Sequence, residues 1–126
     1  MRLISFSMTT PQIKARTKTV TRRLGWRFLK AGDRLMAIEK GQGLKKGEKV
    51  VRLGVIEVVD VRRERLDRMS KDSAYGFAEC KREGFATDSR LMWPSAFVEF
   101  FAASHRCQIS DEVTRIEFRY VGEGTA

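Results

Sequence analysis

The sequence predicts an α+β fold, a small mixed or antiparallel β-barrel with flanking helices, in one domain spanning residues 1–126. Three observations point there. Alternation with a period of two recurs in well-separated stretches, most strongly in VVRLGVIEVVDV at Val50–Val61. The strand signals do not alternate with helices as a parallel βαβ array requires. The length, 126 residues at 42% hydrophobic, suits one domain with one real core and no need of metals or disulfides.

The elements follow in order. Leu3–Met8 alternates and reads as a first strand. Thr9-Thr10-Pro11 is a helix start, with Thr at the cap and Pro at the first helical position, and predicts a short helix from Pro11 to about Arg16. Thr17–Thr21 is rich in β-branched residues and reads as extended. Leu24-Gly25-Trp26 interrupts it, and Leu29–Asp33 forms a turn into a strand at Arg34–Glu39. Gly41–Gly47 is a basic, glycine-rich hairpin loop. The long strand at Val50–Val61 carries Gly54 as a bulge candidate. A charged stretch, Arg62–Lys71, precedes a helix from Asp72 to Lys81 or Glu83, with Gly84 as its stop. Trp93–Phe101 has helical spacing with Pro94 in the first turn, and Glu112–Val121 is the closing strand.

Charge is unevenly distributed. The net charge is +9, yet residues 1–52 hold 14 Lys/Arg against three acids, whereas residues 53–126 hold 11 against 13. A one-sided positive field implies a polyanionic or phosphate-bearing partner such as RNA. One histidine, His105, and two cysteines, Cys80 and Cys107, are too few for a four-ligand zinc site. No metal or other cofactor is expected, and two free thiols are the simpler reading of the cysteines. No apolar run approaches the ~20 residues of a membrane span. Met1–Phe6 alternates rather than forming a signal peptide's apolar block, so the expected location is cytoplasmic.

Several residues are candidates for chemistry. In an extended Arg16–Arg23 segment, Lys18 and Thr21 point to opposite faces, and only a bend after the preceding helix would bring them to one pocket. A lysine beside a hydroxyl is a base–nucleophile pair when burial lowers its pKa; on an open strand the same residues are a solvated basic surface. Glu83 lies at a helix end beside Gly84, where an acidic group is electrostatically unfavoured. His105 is a base candidate or a plain helix-end residue. Trp26, flanked by Arg22, Arg23, Arg27 and Lys30, has the company of a base-stacking residue, while Trp93 reads as core.

Three segments resemble one family. Lys18-Thr19-Val20-Thr21-Arg22-Arg23 follows an early strand and a short helix. Leu29–Leu35 resembles a K-x-G-D turn into a strand, and Val113–Phe118 a closing strand. Together they are similar to the ASCH family (activating-signal-cointegrator homology), a branch of the PUA-like β-barrels. Within it the K-T-x-T-x-R spacing is similar to that of small bacterial N4-acetylcytidine amidohydrolases. The resemblance implies a catalytic Lys at Lys18, a Thr at Thr21 and an acid at Glu83, with Glu79 one turn away as the other choice. Arg23 would position the substrate. Lys14, Arg16, Arg22, Trp26 and Arg27 would join Arg23 in contacting RNA or a modified cytidine nucleoside. The chain departs from the family in having Arg16 where a glycine precedes the Lys by two residues, and in extra length at Gly41–Lys49 and Arg90–Arg106. The other functions open to this resemblance are RNA binding without catalysis and cleavage of single-stranded RNA.

Overall fold

The computed structural model describes residues 1–122; the last four residues of the predicted domain, and nothing else in it, lie outside the described residues. The elements are β1 (Arg2–Ser5), α1 (Thr10–Lys14), β2 (Val20–Arg23), β3 (Arg34–Ile38), β4 (Arg52–Arg65), α2 (Arg68–Lys71), α3 (Ser73–Cys80), a π-helical turn (Lys81–Phe85), α4 (Pro94–His105) and β5 (Glu112–Tyr120). The strands form one mixed sheet in the order β1-β3-β4-β5-β2, with only β1 and β3 parallel. It curls into a half-barrel flanked by the four helices.

Two irregularities decide which residues face which way. A strand alternates faces, so one extra residue inverts everything after it. The β3–β4 register shifts between Ala37 and Ile38, opposite Gly54, whose φ of 140° suits the bulge expected there. The β4–β5 register shifts again between Val58 and Asp60. Before that bulge, Ile56 and Val58 face a core of Ile4, Phe6, Ile13, Leu35, Ile116 and Phe118. After it, Val61 pairs with Ile116 and keeps facing that core, while Arg62, Glu64 and Leu66 turn to the opposite face. The stretch expected to be merely charged is therefore the continuation of β4, alternating across a surface covered by helices.

The second core lies on that opposite face. Leu66, Met69, Phe85, Leu91, Phe97, Val98, Phe101 and Val113 form it under α2, α3 and α4. Asp72 starts α3 by accepting the Tyr75 amide at 3.2 Å. Gly76 allows α3 to approach closely: a Cβ there would overlap the Met69 carbonyl and lie 2.8 Å from Pro94. Trp93, expected in the core, is 52% exposed, with its ring edge-on to Phe77. Pro94 takes the buried position at the start of α4 instead. No described helix is long and apolar enough to cross a membrane. Both cysteines are free thiols.

Candidate active site

Between the two cores runs a layer of buried charge. Arg22 on β2, Arg115 on β5 and Arg62 on β4 are paired in register across three strands, and Glu64 stands two residues along from Arg62. Glu79 of α3 and Glu83 of the π-helical turn close over them. Arg22 donates to Glu79 Oε1 at 2.6 Å, Glu64 Oε2 at 2.9 Å and Glu83 Oε2 at 3.0 Å. Arg115 donates twice to Glu79, at 2.6 and 3.1 Å, and Arg82 once at 2.8 Å. Tyr75 donates to Glu64 at 2.8 Å.

Lys18 stands at the open end of this layer. Its ammonium donates to both the carbonyl and Oε1 of Glu83, each at 2.8 Å. Among the described residues no acceptor takes its third N–H. The segment carrying it is tied down on every side. The Thr17 amide donates to the Gln12 carbonyl at 2.9 Å, the Thr19 amide to the Arg82 carbonyl at 2.8 Å, and the Tyr120 hydroxyl to the Lys18 carbonyl at 2.6 Å. This bend delays β2 to Val20, later than the β-branched run suggests, and brings Lys18 and Thr21 to one pocket. Gly84 completes the approach: its φ is 100°, and a Cβ there would come within 2.9 Å of Gln12 and 3.3 Å of Lys18.

Lys18, Thr21, Arg22, Arg23 and Glu83 line a cavity of about 240 Å3 at the seam between β1 and β2. Its remaining wall is aromatic and hydroxylic: Phe6, Phe85, Phe97, Phe100 and Phe101, with Ser5 and Ser7 on one side and His105 at the rim. Arg23 bridges the seam. It donates through Nε to the Thr21 hydroxyl at 3.1 Å and through NH2 to the Ser5 carbonyl at 2.6 Å, with its guanidinium over the Phe6 ring. Because Thr21 Oγ1 accepts that bond, its own proton remains to be given elsewhere.

Burial sets the electrostatics. Desolvation lowers the Lys18 pKa from the ordinary 10.5, with Arg23 and Arg22 adding to it; Glu83 opposes the shift. Arg23 is pushed by burial to about 10, with only Glu83 acting against it. Burial also works against Arg22, but Glu83, Glu79 and Glu64 together hold it above its usual value. Glu79 resists its own desolvation because Arg115 and Arg22 hold its carboxyl at about 2.

The sequence-predicted residues separate into groups. Lys18, Thr21, Glu83 and Arg23 share the cavity. Glu79 is fully buried under three guanidiniums and does not line it. Arg22, expected as a surface contact to nucleic acid, has a side chain with no exposure, because three carboxylates draw it inward. Lys14 and Arg16 line a different groove, with Met36, Leu53 and Tyr120. Arg16 has φ 59°, the left-handed conformation in which a glycine costs least, and its guanidinium lies over the Tyr120 ring. Arg27 is exposed, and Trp26 lies half-buried beside Phe28. His105 stacks on Phe101 at 3.9 Å, with Nδ1 3.0 Å from the Phe101 carbonyl; in the neutral ring this leaves Nε2 as the acceptor. The aromatic wall was not singled out from the sequence. Its only signal was the run of Phe97, Phe100 and Phe101, which any buried helix face would also give.

No family model and no curated protein sequence matches this chain. Solved structures do. An ASCH domain from Lactobacillus crispatus JV V101 superposes with a TM-score of 0.59 at 15% identity, over 94% of this chain and 79% of that one. A protein of the DUF984 family from Enterococcus faecalis V583 gives 0.57 at 18% identity, over 91% and 71%. The chain therefore has the fold of an ASCH domain, the architecture that its K-T-x-T segment and G-D turn led one to expect.

Proposed function

We propose that the protein is an amidohydrolase that removes the acyl group from the exocyclic nitrogen of an N4-acylated cytidine. The observation that carries this reading is the convergence of Lys18, Thr21 and Glu83 on one aromatic-lined cavity. A flat base fits between Phe rings, while its acyl amide meets the polar wall of Lys18, Thr21 and Glu83.

The steps follow from the groups present. Lys18, with its pKa lowered by burial, takes the Thr21 hydroxyl proton, and Oγ1 attacks the acyl carbonyl carbon. The oxyanion formed is stabilised by the N–H of Lys18 that faces the cavity. The C–N bond then breaks, the departing cytosine nitrogen takes up the proton, and an acyl ester remains on Thr21. Water attacks that ester, releasing the carboxylic acid and restoring the hydroxyl. Glu83, bonded to the Lys18 ammonium at 2.8 Å, holds it in place and relays the proton.

RNA binding without catalysis needs only basic groups and gives the aromatic-lined cavity no role. Incubating the protein with N4-acetylcytidine and separating the products tests the proposal: cytidine and acetate should appear in equal amounts. Intact substrate after prolonged incubation would count against it.

A further inference from the structure

The catalytic cavity does not end at its rim. Ser5, Ser7, Arg23 and His105 also line an adjoining groove of about 740 Å3, whose other walls include Trp26, Lys40 and Gln42. The inner cavity, at about 240 Å3, falls below the roughly 300–1,000 Å3 of pockets that enclose a whole drug-sized ligand. A base and its acyl group fill such a space, so the rest of the substrate extends into the groove.

The charge of that groove is unmatched. Lys18, Arg22 and Arg115 each touch a carboxylate. Arg23 does not: its partners are a hydroxyl and a backbone carbonyl, and among the described residues no carboxylate lies in contact with it. A guanidinium bonded only to a hydroxyl and a backbone carbonyl, and desolvated enough to lower its pKa to about 10, is a site completed by an anionic ligand. Lys40 adds a second cation. Its ion pair with Glu48 is long, at 3.6 Å, and about 40% exposed on both sides, so the ammonium can turn into the groove at small cost.

We infer that the substrate carries a phosphate, making it an acylated cytidine nucleotide rather than a free nucleoside, with the phosphate held in the groove by Arg23 and Lys40. This rests on the amidohydrolase reading for the acyl group but not for the binding itself. Trp26 lines the groove, so its fluorescence reports occupancy without turnover. The chain's other tryptophan, Trp93, is exposed and lines neither space, and Trp93→Phe leaves Trp26 as the sole reporter.

In that background, cytidine 5′-monophosphate should bind about tenfold more tightly than cytidine, as expected for one charge-assisted phosphate contact. Lys40→Ala should weaken that preference, leaving the part that Arg23 supplies, and leave cytidine binding unchanged. Equal affinity for the two ligands, no binding of either, or an undiminished preference in Lys40→Ala would overturn the inference. A parallel assay locates the phosphate. If N4-acetylcytidine 5′-monophosphate is hydrolysed faster than an acetylated oligonucleotide, the phosphate is that of a free nucleotide; the reverse order assigns it to a polynucleotide. Binding without hydrolysis of any substrate would sink the amidohydrolase reading and keep the nucleotide site.

Discussion

The buried charge layer has two ends, and they are built differently. At the closed end, Glu79 is fully buried and accepts four guanidinium hydrogen bonds from Arg22, Arg82 and Arg115, among them contacts of 2.6 and 2.8 Å. At the open end, Lys18 keeps an N–H without an acceptor, Thr21 keeps a proton to give and Arg23 lacks a carboxylate, all facing a cavity. A saturated network specifies and holds structure, whereas one left incomplete towards a cavity is ready to act on a ligand. The same residue types thus fix the fold at one end and, on the proposed function, supply chemistry at the other.

The comparison is tested most severely at Glu79. Glu79→Ala leaves Arg22 and Arg115 short of their shared anion and should cost about 3–5 kcal/mol, read as a fall in the urea midpoint. The acid limb of stability carries the same signature. The Glu79 carboxyl titrates at about 2 in the folded protein against an ordinary 4.5, so its contribution is complete above 4.5 and is lost as pH falls towards 2. Glu79→Gln should flatten that limb, and an unchanged limb would remove Glu79 from the account.

Thr21→Val removes the proposed nucleophile at constant shape. It should lower kcat by roughly 10²–10⁴-fold while moving the unfolding midpoint little, with Thr21→Ser recovering part of the rate. Gly84→Ala should touch both ends. Its backbone φ of 100° and the nearness of Gln12 and Lys18 imply a loss of about 1–3 kcal/mol in stability, together with a slower enzyme as Glu83 is displaced.

The pH profile should separate Lys18 from its neighbours. Lys18 accepts a proton only when neutral, and burial, with Arg23 and Arg22, lowers its pKa. The rate should therefore rise with pH and level off below 10.5. A plateau only above 10.5 would mean an ordinary solvated lysine. The smallest effect belongs to Arg16→Gly. Relief of a left-handed arginine and the added freedom of the unfolded chain oppose each other, so stability should stay within about 1 kcal/mol.

Much of the fold was legible in the sequence for physical reasons. The strands announced themselves because apolar residues alternate, and Gly54 marked one bulge because of its backbone freedom. Motif spacing grouped Lys18, Thr21 and Glu83, which line one cavity, though nothing in that spacing places a residue inside or outside. Arg22 shows the difficulty: an arginine on a basic edge strand reads as a solvent-facing contact, and only three converging carboxylates from β4, α3 and the π-helical turn make it internal. The bulge at Val58–Asp60 carries no glycine, so the turn of Glu64 towards the helices was hidden as well. The aromatic wall was hidden because Phe97 and Phe101 serve the second core and the cavity at once.

One measurement tests the division of labour directly: turnover of N4-acetylcytidine and the urea midpoint, determined side by side for the wild type and Lys18→Ala. Glu83 also accepts from Arg22 at 3.0 Å, so its carboxylate has a second buried partner besides Lys18. The expected result is a loss of turnover of at least about 10²-fold with the folded state retained. Turnover that survives in a folded Lys18→Ala would contradict the account and make the open end of the layer structural like the closed one.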